Sequence, residues 1–292
     1  RATGQRTRVE KISLKCAEYR VDPDFKVRRA SKSRADGGSD LLAPDGKGSW
    51  KMVDEIPFAD SLTTFPNGYT SDGKTMYFID SRGRDTAALF AVDTATGGKT
   101  LVLENPRADV SDSLRDPTTN KVQAVAANYL KEEWTPVDDG IAADLAALKA
   151  IGPGEAWVAS RTQDDKTWIV GYSAGETPAV FYRYARGGKP EKLFSTRPAL
   201  DGKPLVPMWP QEIKSRDGLT LVSYLTLPKT ADANNDGKSD KPAPMVLLVH
   251  GGPWARDAYG YSGYAQWLAN RGYSVLSVNY RGSTGFGKSF VN

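Results

Sequence analysis

MVLLVHGGPW at residues 245–254 and SVLSVNYRGSTGFG at residues 274–287 decide the fold of the C-terminal part of this chain. Each stretch opens on a short run of mostly apolar residues, at 245–249 and 274–278, which is typical of a strand buried in a parallel sheet. Each then continues into a loop rich in glycine, which tolerates tight backbone turns. The pattern predicts two buried strands, the first of them fully buried.

A helix is predicted between these two strands, over residues 261–271. Tyr264, Trp267 and Leu268 share one helical face, and Gly272 follows as a C-terminal stop. A strand, a helix and a second strand of this length form a βαβ unit, which implies a parallel sheet. Residues 205–292 are therefore expected to form the N-terminal portion of an α/β domain.

The first two thirds of the chain is predicted to consist of short antiparallel strands separated by turns. One order of strands and turns occurs twice, at residues 75–79, 88–92 and 101–103 and again at 168–170, 180–184 and 193–194. Further strands are predicted at residues 25–28, 49–53, 56–58 and 121–126. The offset between the two copies is about two units of the ~40–50 residues typical of a propeller blade. Residues 1–204 are therefore expected to form a partial β-propeller of about four blades.

One helix interrupts the predicted strands at residues 141–151. Its apolar residues recur at helical spacing: Ile141, Leu145, Leu148 and Ile151. Asp138 or Asp139 precedes it as a cap, and the following Gly-Pro pair at residues 152–153 ends it.

Composition excludes several classes of protein. The chain has 292 residues with 39% hydrophobic and 25% charged, enough for a packed core and about two domains. Its 39 basic and 35 acidic residues give a net charge of +4. This is a mild excess of positive charge rather than the basic face that nucleic-acid binding requires. Its longest aliphatic run, residues 245–249, is far shorter than the ~20 residues of a membrane helix. We expect a soluble protein without nucleic-acid or membrane partners. The single Cys16 is compatible with the cytoplasm or the periplasm.

The chain contains a single histidine, His250, and one G-x-S-x-G motif, GYSAG at residues 171–175. A Ser-His-Asp hydrolase needs a histidine as general base, so it must use His250 or a histidine outside this chain. The G-x-S-x-G motif supplies a nucleophile only where a strand turns sharply into a helix. Strand-like sequence follows Glu176, which predicts a hairpin, so Ser173 is not expected to be a nucleophile.

The HGGP loop is the better candidate for chemistry. Gly251 and Gly252 can present backbone N–H groups with no Cβ in the way. After the equivalent strand of an α/β-hydrolase, an N–H from such a loop forms half of the oxyanion hole. The alternative is a plain turn with a structural histidine. The loop NYRGSTGFG after the next strand favours the hydrolase interpretation.

The motifs HGGPW and NYRGSTGFGKSF, separated by a helix, resemble the start of the catalytic domain of the prolyl oligopeptidase family of serine peptidases. The acylaminoacyl-peptidase and dipeptidyl-peptidase-like branches are the most similar. The phrases TSDGKTMYFIDSRGRDTAALFAVD, SRTQDDKTWIV and IKSRDGLTLVSYLTLP resemble the propeller and domain boundary of that family. The resemblance implies a mainly β plus α/β fold, in which a partial β-propeller precedes the first part of an α/β-hydrolase domain.

The resemblance also implies a function and site residues. The family cleaves short peptides by acyl transfer, without a cofactor, and its propeller restricts access to the active site. Gly252 matches the glycine whose backbone N–H helps to bind the oxyanion in acylaminoacyl-peptidase relatives. His250 stands where other branches have an oxyanion-binding tyrosine, and with Gly251 and Arg281 it is expected to support the site. The family's triad is expected after residue 292, so the chain is expected to be an internal fragment that is inactive alone.

A polar loop gives a weaker, separate pattern. Its oxygen-bearing side chains occupy positions 1, 3, 5 and 9 of a calcium-loop pattern that has glycine at position 6: Asp232, Asn234, Asp236 and Asp240. The glutamate expected at position 12 is replaced by Ala243, and Asn-Asp-Gly is ordinary turn chemistry. We favour a solvated loop, with a weak calcium site as the alternative.

Two other functions remain open from the sequence. One is a propeller-based binding module with a vestigial hydrolase segment, and the other is an esterase on the same α/β scaffold. The sequence leaves the side-chain preference, the choice between exopeptidase and endopeptidase, and the oligomeric state undecided. A propeller argues against the esterase, because most esterases carry only a small lid. A peptidase with peptide substrates is therefore the main hypothesis.

Overall fold

The computed structural model describes residues 4–6, 8, 16, 18–22, 24–252 and 254–292. The chain divides into two compact units. The first unit comprises Arg1–Val110, Thr119–Lys121 and Gly287–Ser289, and the second comprises Ser111–Thr118, Val122–Phe286 and Phe290–Asn292. No helix among the described residues is long and apolar enough to cross a membrane. The predicted boundary between residues 204 and 205 stays a prediction.

The first unit contains two four-stranded antiparallel sheets in which each strand pairs with the next along the chain. The first sheet consists of β1 (Glu18–Val21), β2 (Val27–Ser33), β3 (Ser39–Pro44) and β4 (Trp50–Ile56). The second consists of β5 (Phe65–Tyr69), β6 (Thr75–Asp80), β7 (Ala88–Asp93) and β8 (Lys99–Leu103). These are the meanders expected of propeller blades. The prediction of a separate strand at residues 56–58 is wrong. Ile56 is the last residue of β4, and Phe58 begins the 3₁₀ turn Phe58–Asp60.

The second unit begins with a three-stranded and a four-stranded antiparallel sheet. The three-stranded sheet consists of β9 (Val110–Arg115), β10 (Val122–Asn128) and β11 (Glu132–Pro136). The four-stranded sheet consists of β12 (Glu155–Arg161), β13 (Thr167–Ala174), β14 (Thr177–Ala185) and β15 (Glu191–Ser195). The predicted helix, α1 (Ala142–Lys149), lies between them in sequence. The Asp138 carboxylate caps the preceding 3₁₀ turn by accepting a hydrogen bond from the backbone N–H of Gly140.

A charged network surrounds the largest fully buried side chain of the second unit, Trp168. The Arg161 and Arg186 guanidinium groups lie 4.6 Å and 5.4 Å from the Trp168 ring centroid. Asp144, which is 4% exposed on α1, accepts hydrogen bonds from Tyr184 Oη at 2.7 Å and from Arg186 Nε at 2.9 Å. The network therefore fastens α1 to the strand β14 and the turn that follows it.

The remaining sheet mixes parallel and antiparallel strands. It contains β16 (Met208–Lys214), β17 (Thr220–Thr226), β18 (Met245–Leu248) and β19 (Ser274–Val278), in the order β16-β17-β19-β18. Helix α2 (Gly263–Ala269) connects β18 to β19, and α3 (Lys288–Val291) ends the described chain. β18 and β19 pair in parallel, which confirms the predicted βαβ unit.

The first predicted buried strand is only half buried. Met245 and Leu247 on β18 are 55% and 59% exposed. Met245 and Leu247 lie on the same face of β18, and the other two residues of the strand are partly buried. The described residues therefore do not show the predicted fully buried strand, because a continuous apolar run does not reveal what packs against each face.

Helix α2 buries a different face from the one on which Tyr264 and Trp267 lie. Tyr264 and Trp267 are 75% and 55% exposed, whereas Ala265 and Gln266 are buried. Gln266 anchors this orientation, because its side chain accepts a hydrogen bond from the N–H of Val206 and donates to the carbonyl of the same residue. A buried amide satisfied at both ends outweighs the apolar pattern of the helix.

Candidate functional site

The loop after β18 carries the candidate oxyanion donor. Gly252 has φ of +146°, and a Cβ placed on it would lie 2.8 Å from the backbone nitrogen of Trp254. Its neighbour Gly251 has open space around the same position. Both glycines are exposed. The loop thus requires glycine at residue 252, which is the residue predicted to donate its N–H. The requirement for glycine at residue 251 is much less strict.

His250 is held by the loop after β19. Its Nε2 lies 2.9 Å from Ser283 Oγ, and its ring stacks on Tyr280 with centroids 4.5 Å apart. The Tyr280 hydroxyl donates a hydrogen bond to the carbonyl of His250 at 2.9 Å. The other ring nitrogen, Nδ1, lies 2.8 Å from the carbonyl oxygen of Gly251. Both imidazole nitrogens are therefore engaged within the loops, as the supporting role requires.

Tyr280 and Ser283 were missed as individual site residues by the sequence reasoning, although their motif was noticed. The signal that could have found them is topological. β18 and β19 are parallel neighbours, so the loops that follow them leave the same edge of the sheet. Polar side chains early in the second loop can then reach the first.

Asn279 braces the chain just beyond the HGGP loop. It is fully buried, its Oδ1 accepts a hydrogen bond from the N–H of Asp257 at 2.8 Å, and its Nδ2 donates to the carbonyl of Asp257 at 3.2 Å. One side chain thereby satisfies both backbone groups of Asp257, which fixes the backbone at that residue.

Arg256 extends this bracing to the three-stranded sheet. Its Nη1 donates to the carbonyl of Asn128 at 2.6 Å, and its Nη2 donates to the carbonyl of Tyr129 at 3.1 Å. Its guanidinium carbon also lies 4.3 Å from the centroid of the Phe286 ring. The guanidinium thus joins the loop after β18 to the end of β10. Arg256 was not singled out by the sequence analysis, because no local pattern marks it.

Arg281 lies at the surface rather than against the glycine loop. Its guanidinium pairs with the carboxylate of Asp217, and both side chains are more than half exposed. Hydrogen bonds from Ser215, from the N–H of Leu219 and from Arg281 lower the pKa of Asp217 to about 2. The pair joins the loop after β19 to the turn between β16 and β17. That Arg281 organises the active site stays a prediction.

Ser173 lies on the hairpin between β13 and β14, as its sequence context predicts. Its Oγ donates a hydrogen bond to the carbonyl of Thr177 at 3.0 Å and lies 3.4 Å from the backbone nitrogen of Tyr261. Both of these partners are backbone groups, so neither can act as the general base that a serine nucleophile needs.

A cavity of about 770 Å³ lies among β11, α1 and β12. Glu132, Trp134 and Glu155 contribute to its wall. Glu155 Oε1 accepts a hydrogen bond from the N–H of Glu132 at 2.7 Å. Burial, reinforced by the Glu132 carboxylate, raises the pKa of Glu155 to about 7, against the hydrogen bond from that N–H. Burial also raises the pKa of Glu132.

The raised pKa of Glu155 predicts a pH-dependent stability. Because the folded carboxyl binds its proton more tightly than the unfolded one, the free energy of unfolding falls as the pH rises from about 4.5 to about 7. Glu155→Gln keeps the acceptor oxygen but removes the charge, so above pH 7 it should stabilise the protein by on the order of 2 kcal/mol. Equilibrium denaturation between pH 4 and pH 8 measures this.

The matched control is Glu133→Gln, since Glu133 lies on the same wall but is exposed. It should leave the pH profile of the wild type unchanged. A Glu155→Gln profile that parallels the wild type through this range contradicts the prediction.

In the polar loop at residues 232–240, carboxylate oxygens face backbone N–H groups of the same loop. Asp232 is 2% exposed, and it accepts hydrogen bonds from the N–H groups of Asp236 at 2.9 Å and Gly237 at 3.1 Å. Asp240 faces the N–H of Ala233 at 3.4 Å. Within the described part of the chain, no three acidic, histidine or cysteine side chains converge as metal ligands would. The solvated loop and the weak calcium site stay predictions.

No family model matches the chain, whereas individual relatives match it over most or all of its length. It is 64% identical over 292 residues to dipeptidyl aminopeptidase BIII of Pseudoxanthomonas mexicana, and the alignment covers 100% of this chain and 42% of that protein. It is 34% identical over 296 residues to dipeptidyl peptidase family member 6 of Caenorhabditis elegans, which covers 93% of this chain and 40% of the relative. The chain thus spans about two fifths of the length of these relatives.

Solved structures share its fold. Dipeptidyl peptidase 4 of Porphyromonas gingivalis superposes with a TM-score of 0.65 at 14% identity, over 90% of this chain and 38% of that one. A puromycin-hydrolyzing peptidase of Mycobacterium tuberculosis also gives a TM-score of 0.65, at 17% identity, over 94% of this chain and 43% of that one. These likenesses confirm the predicted fold class, in which a partial β-propeller precedes the first part of an α/β-hydrolase domain.

Proposed function

The chain belongs to the prolyl oligopeptidase family, and from this premise we propose that it forms part of a serine-type peptidase that cleaves short peptides. The observation that carries the proposal is the geometry of the loop after β18. Gly252 adopts a backbone conformation that favours glycine, is exposed, and follows a strand of a parallel pair. The 64% identity to a dipeptidyl aminopeptidase over the whole chain supports the same reaction class.

In acyl transfer, a serine attacks the peptide carbonyl, a histidine moves the proton to the leaving amine, and N–H groups stabilise the oxyanion. We assign the backbone N–H of Gly252 to one of these donors. His250 does not act as the proton carrier in this proposal, because its nitrogens are engaged by Ser283 and the carbonyl of Gly251. Its role is to hold the loop, so that the donor is in place before negative charge develops.

The antiparallel sheets supply the second part of the proposal. We propose that they gate the catalytic domain and admit only short peptides, as the resemblance implies. Hydrolysis of one recognition sequence within peptides of increasing length tests the gate in the full-length protein. The rate should fall steeply as the peptide lengthens, and equal rates for a short peptide and an unfolded protein would contradict gating.

The reaction class is tested on the full-length protein with three groups of substrates. Free-amino dipeptide p-nitroanilides and their N-acylated counterparts report peptidase activity and its exopeptidase or acylpeptidase character, whereas p-nitrophenyl acetate reports esterase activity. Turnover of p-nitroanilides supports the proposal. Turnover of the ester alone favours the esterase, and binding of peptides without turnover favours the vestigial binding module.

The 292-residue chain alone is expected to show no peptidase activity. Its one histidine is engaged by the loops, and its one G-x-S-x-G serine lies on a hairpin. Hydrolysis of the same p-nitroanilides by the purified chain is the measurement, with Ser173→Ala as the matched variant. Turnover that Ser173→Ala abolishes would show that Ser173 is a nucleophile after all.

A further inference from the structure

A second, smaller cavity lies within the second unit at the end of the parallel strand pair. Its volume is about 240 Å³, and its wall includes Leu248, the last residue of β18, and Ser277, near the end of β19. The carboxyl ends of parallel strands are where open α/β sheets bind ligands. The proposed peptidase function uses the Gly252 N–H and leaves this cavity without a role.

The wall of this cavity contains a buried carboxylate oxygen with no donor. Asp257 Oδ2 is inaccessible to solvent and makes no hydrogen bond to any described residue. The Asp257 backbone cannot relax to find a partner, because Asn279 holds both its N–H and its carbonyl. Leaving such an acceptor unsatisfied costs about 1–3 kcal/mol or more, so a bound partner at this oxygen would be stabilising.

The neighbouring positive charges do not pair directly with the Asp257 carboxylate. The Arg256 guanidinium donates to the carbonyls of Asn128, Tyr129 and Asp257 and to the side-chain oxygen of Asn128, and none of these hydrogen bonds reaches the Asp257 carboxylate. Burial raises the pKa of the Asp257 carboxyl, while the charges of His250 and Arg256 oppose this. The carboxylate therefore retains a capacity for one positive charge.

The other polar side chains of the wall carry hydroxyl groups. Tyr224 is 1% exposed with its hydroxyl buried, and Ser277 and Ser173 contribute further hydroxyls. An oxygen-rich lining suits hard cations rather than soft metals or anions. With a single carboxylate, the site matches one positive charge.

Size narrows the class of ligand further. Pockets for organic ligands generally measure about 300–1,000 Å³, and this cavity is smaller. Since a water occupies about 30 Å³, the cavity has room for an ion together with several waters of its hydration shell.

From the buried Asp257 Oδ2, which has no donor among the described residues, and the hydroxyl-bearing wall of the cavity, we propose that the second unit contains a binding site for a hydrated alkali-metal cation. The Asp257 carboxylate supplies the charge. The hydroxyls of Tyr224, Ser277 and Ser173 complete the polar lining.

The test measures thermal unfolding of the full-length protein in chloride salts of equal ionic strength. Potassium or sodium at about 100 mM should raise the Tm by about 2–4 °C relative to tetraethylammonium, a quaternary cation that has no N–H to donate to Asp257 Oδ2 and takes no oxygen ligands. Asp257→Asn should abolish this difference. Asp24→Asn removes one charge from an exposed side chain of the first unit and should preserve it.

A second measurement covers the case in which Asp257→Asn fails to fold. Crystals of the wild type soaked in thallium(I) should show an anomalous peak in the cavity beside Asp257 Oδ2, and potassium should displace it. Equal Tm values in all salts, or no thallium peak there, would overturn the proposal. Stabilisation by glycylglycine but by neither alkali cation would also overturn it, in favour of an ammonium-binding site. Neither measurement requires turnover, so loss of the proposed peptidase activity leaves this test intact.

Discussion

Gly252→Val in the full-length peptidase is expected to lower kcat by about 10²–10³-fold, the typical consequence of losing one oxyanion donor. A valine Cβ would lie 2.8 Å from the backbone nitrogen of Trp254, and φ of +146° is unfavourable for a β-branched residue. The loop must therefore move, and the N–H moves with it. Because negative charge appears only after attack begins, the loss should fall on kcat more than on KM.

Two further variants separate the backbone effect from a general disturbance of the loop. Gly251→Val should cost much less, because a Cβ at residue 251 meets no atom within 4 Å. His250→Ala should also be milder than Gly252→Val, because it removes the contact with Ser283 but keeps the hydrogen bond from Tyr280 to the backbone carbonyl. Steady-state kinetics on p-nitroanilides measures all three variants.

A folded Gly252→Val enzyme with near-normal kcat would exclude the Gly252 N–H from the mechanism. Complete inactivity of His250→Ala, in an enzyme that remains folded, would mean that the imidazole itself takes part in the chemistry.

Asp144→Ala is expected to lower the free energy of unfolding by about 3 kcal/mol, the cost typical of removing one partner from a buried ion pair. The carboxylate is 4% exposed and receives hydrogen bonds from both Tyr184 and Arg186. Its removal leaves the Tyr184 hydroxyl buried without this acceptor and leaves Arg186 only its remaining carboxylate, Asp165.

Equilibrium denaturation monitored by circular dichroism measures the change, and Asp139→Ala is the control. Asp139 is an exposed aspartate just before the same helix, so its removal should change the free energy of unfolding by less than about 0.5 kcal/mol. Equal effects of the two substitutions would show that the buried network contributes nothing beyond a general helix-terminus effect.

Local patterns in the sequence were sufficient for many of the strands, for helix α1 and for the fold class, although strands such as β3, β9 and β12 were not predicted individually. The turn at Gly73 illustrates why: glycine adopts φ of +67° there, and Asp72 Oδ1 accepts the N–H of Lys74, so the β6 strand begins where the turn residues dictate. Helix α1 was predicted from apolar spacing in the same way, although Asp138 caps the 3₁₀ turn that leads into it rather than the helix itself. These features depend on neighbours within a few residues along the chain.

The candidate site was only partly accessible to sequence reasoning. The glycine pair after an apolar run drew attention to this loop, and the resemblance to the peptidase family then singled out Gly252 and His250, whose roles stay predictions. Tyr280, Ser283 and Asn279 could not be assigned roles individually, because their partners lie more than twenty residues earlier in the chain. Only the parallel pairing of β18 with β19 brings the two loops together.

The sequence by itself determined many of the strands, the βαβ unit, the glycine loop and the absence of a helical nucleophile elbow at Ser173, because each depends on local backbone preferences. The tertiary structure decided which faces are buried. Hydrophobic periodicity identifies an apolar face but not what covers it, so the exposure of Leu247 on β18 could be seen only in the folded chain. The same holds for Gln266 and Asp257, since whether a polar side chain is satisfied depends on partners that only the folded chain brings into reach.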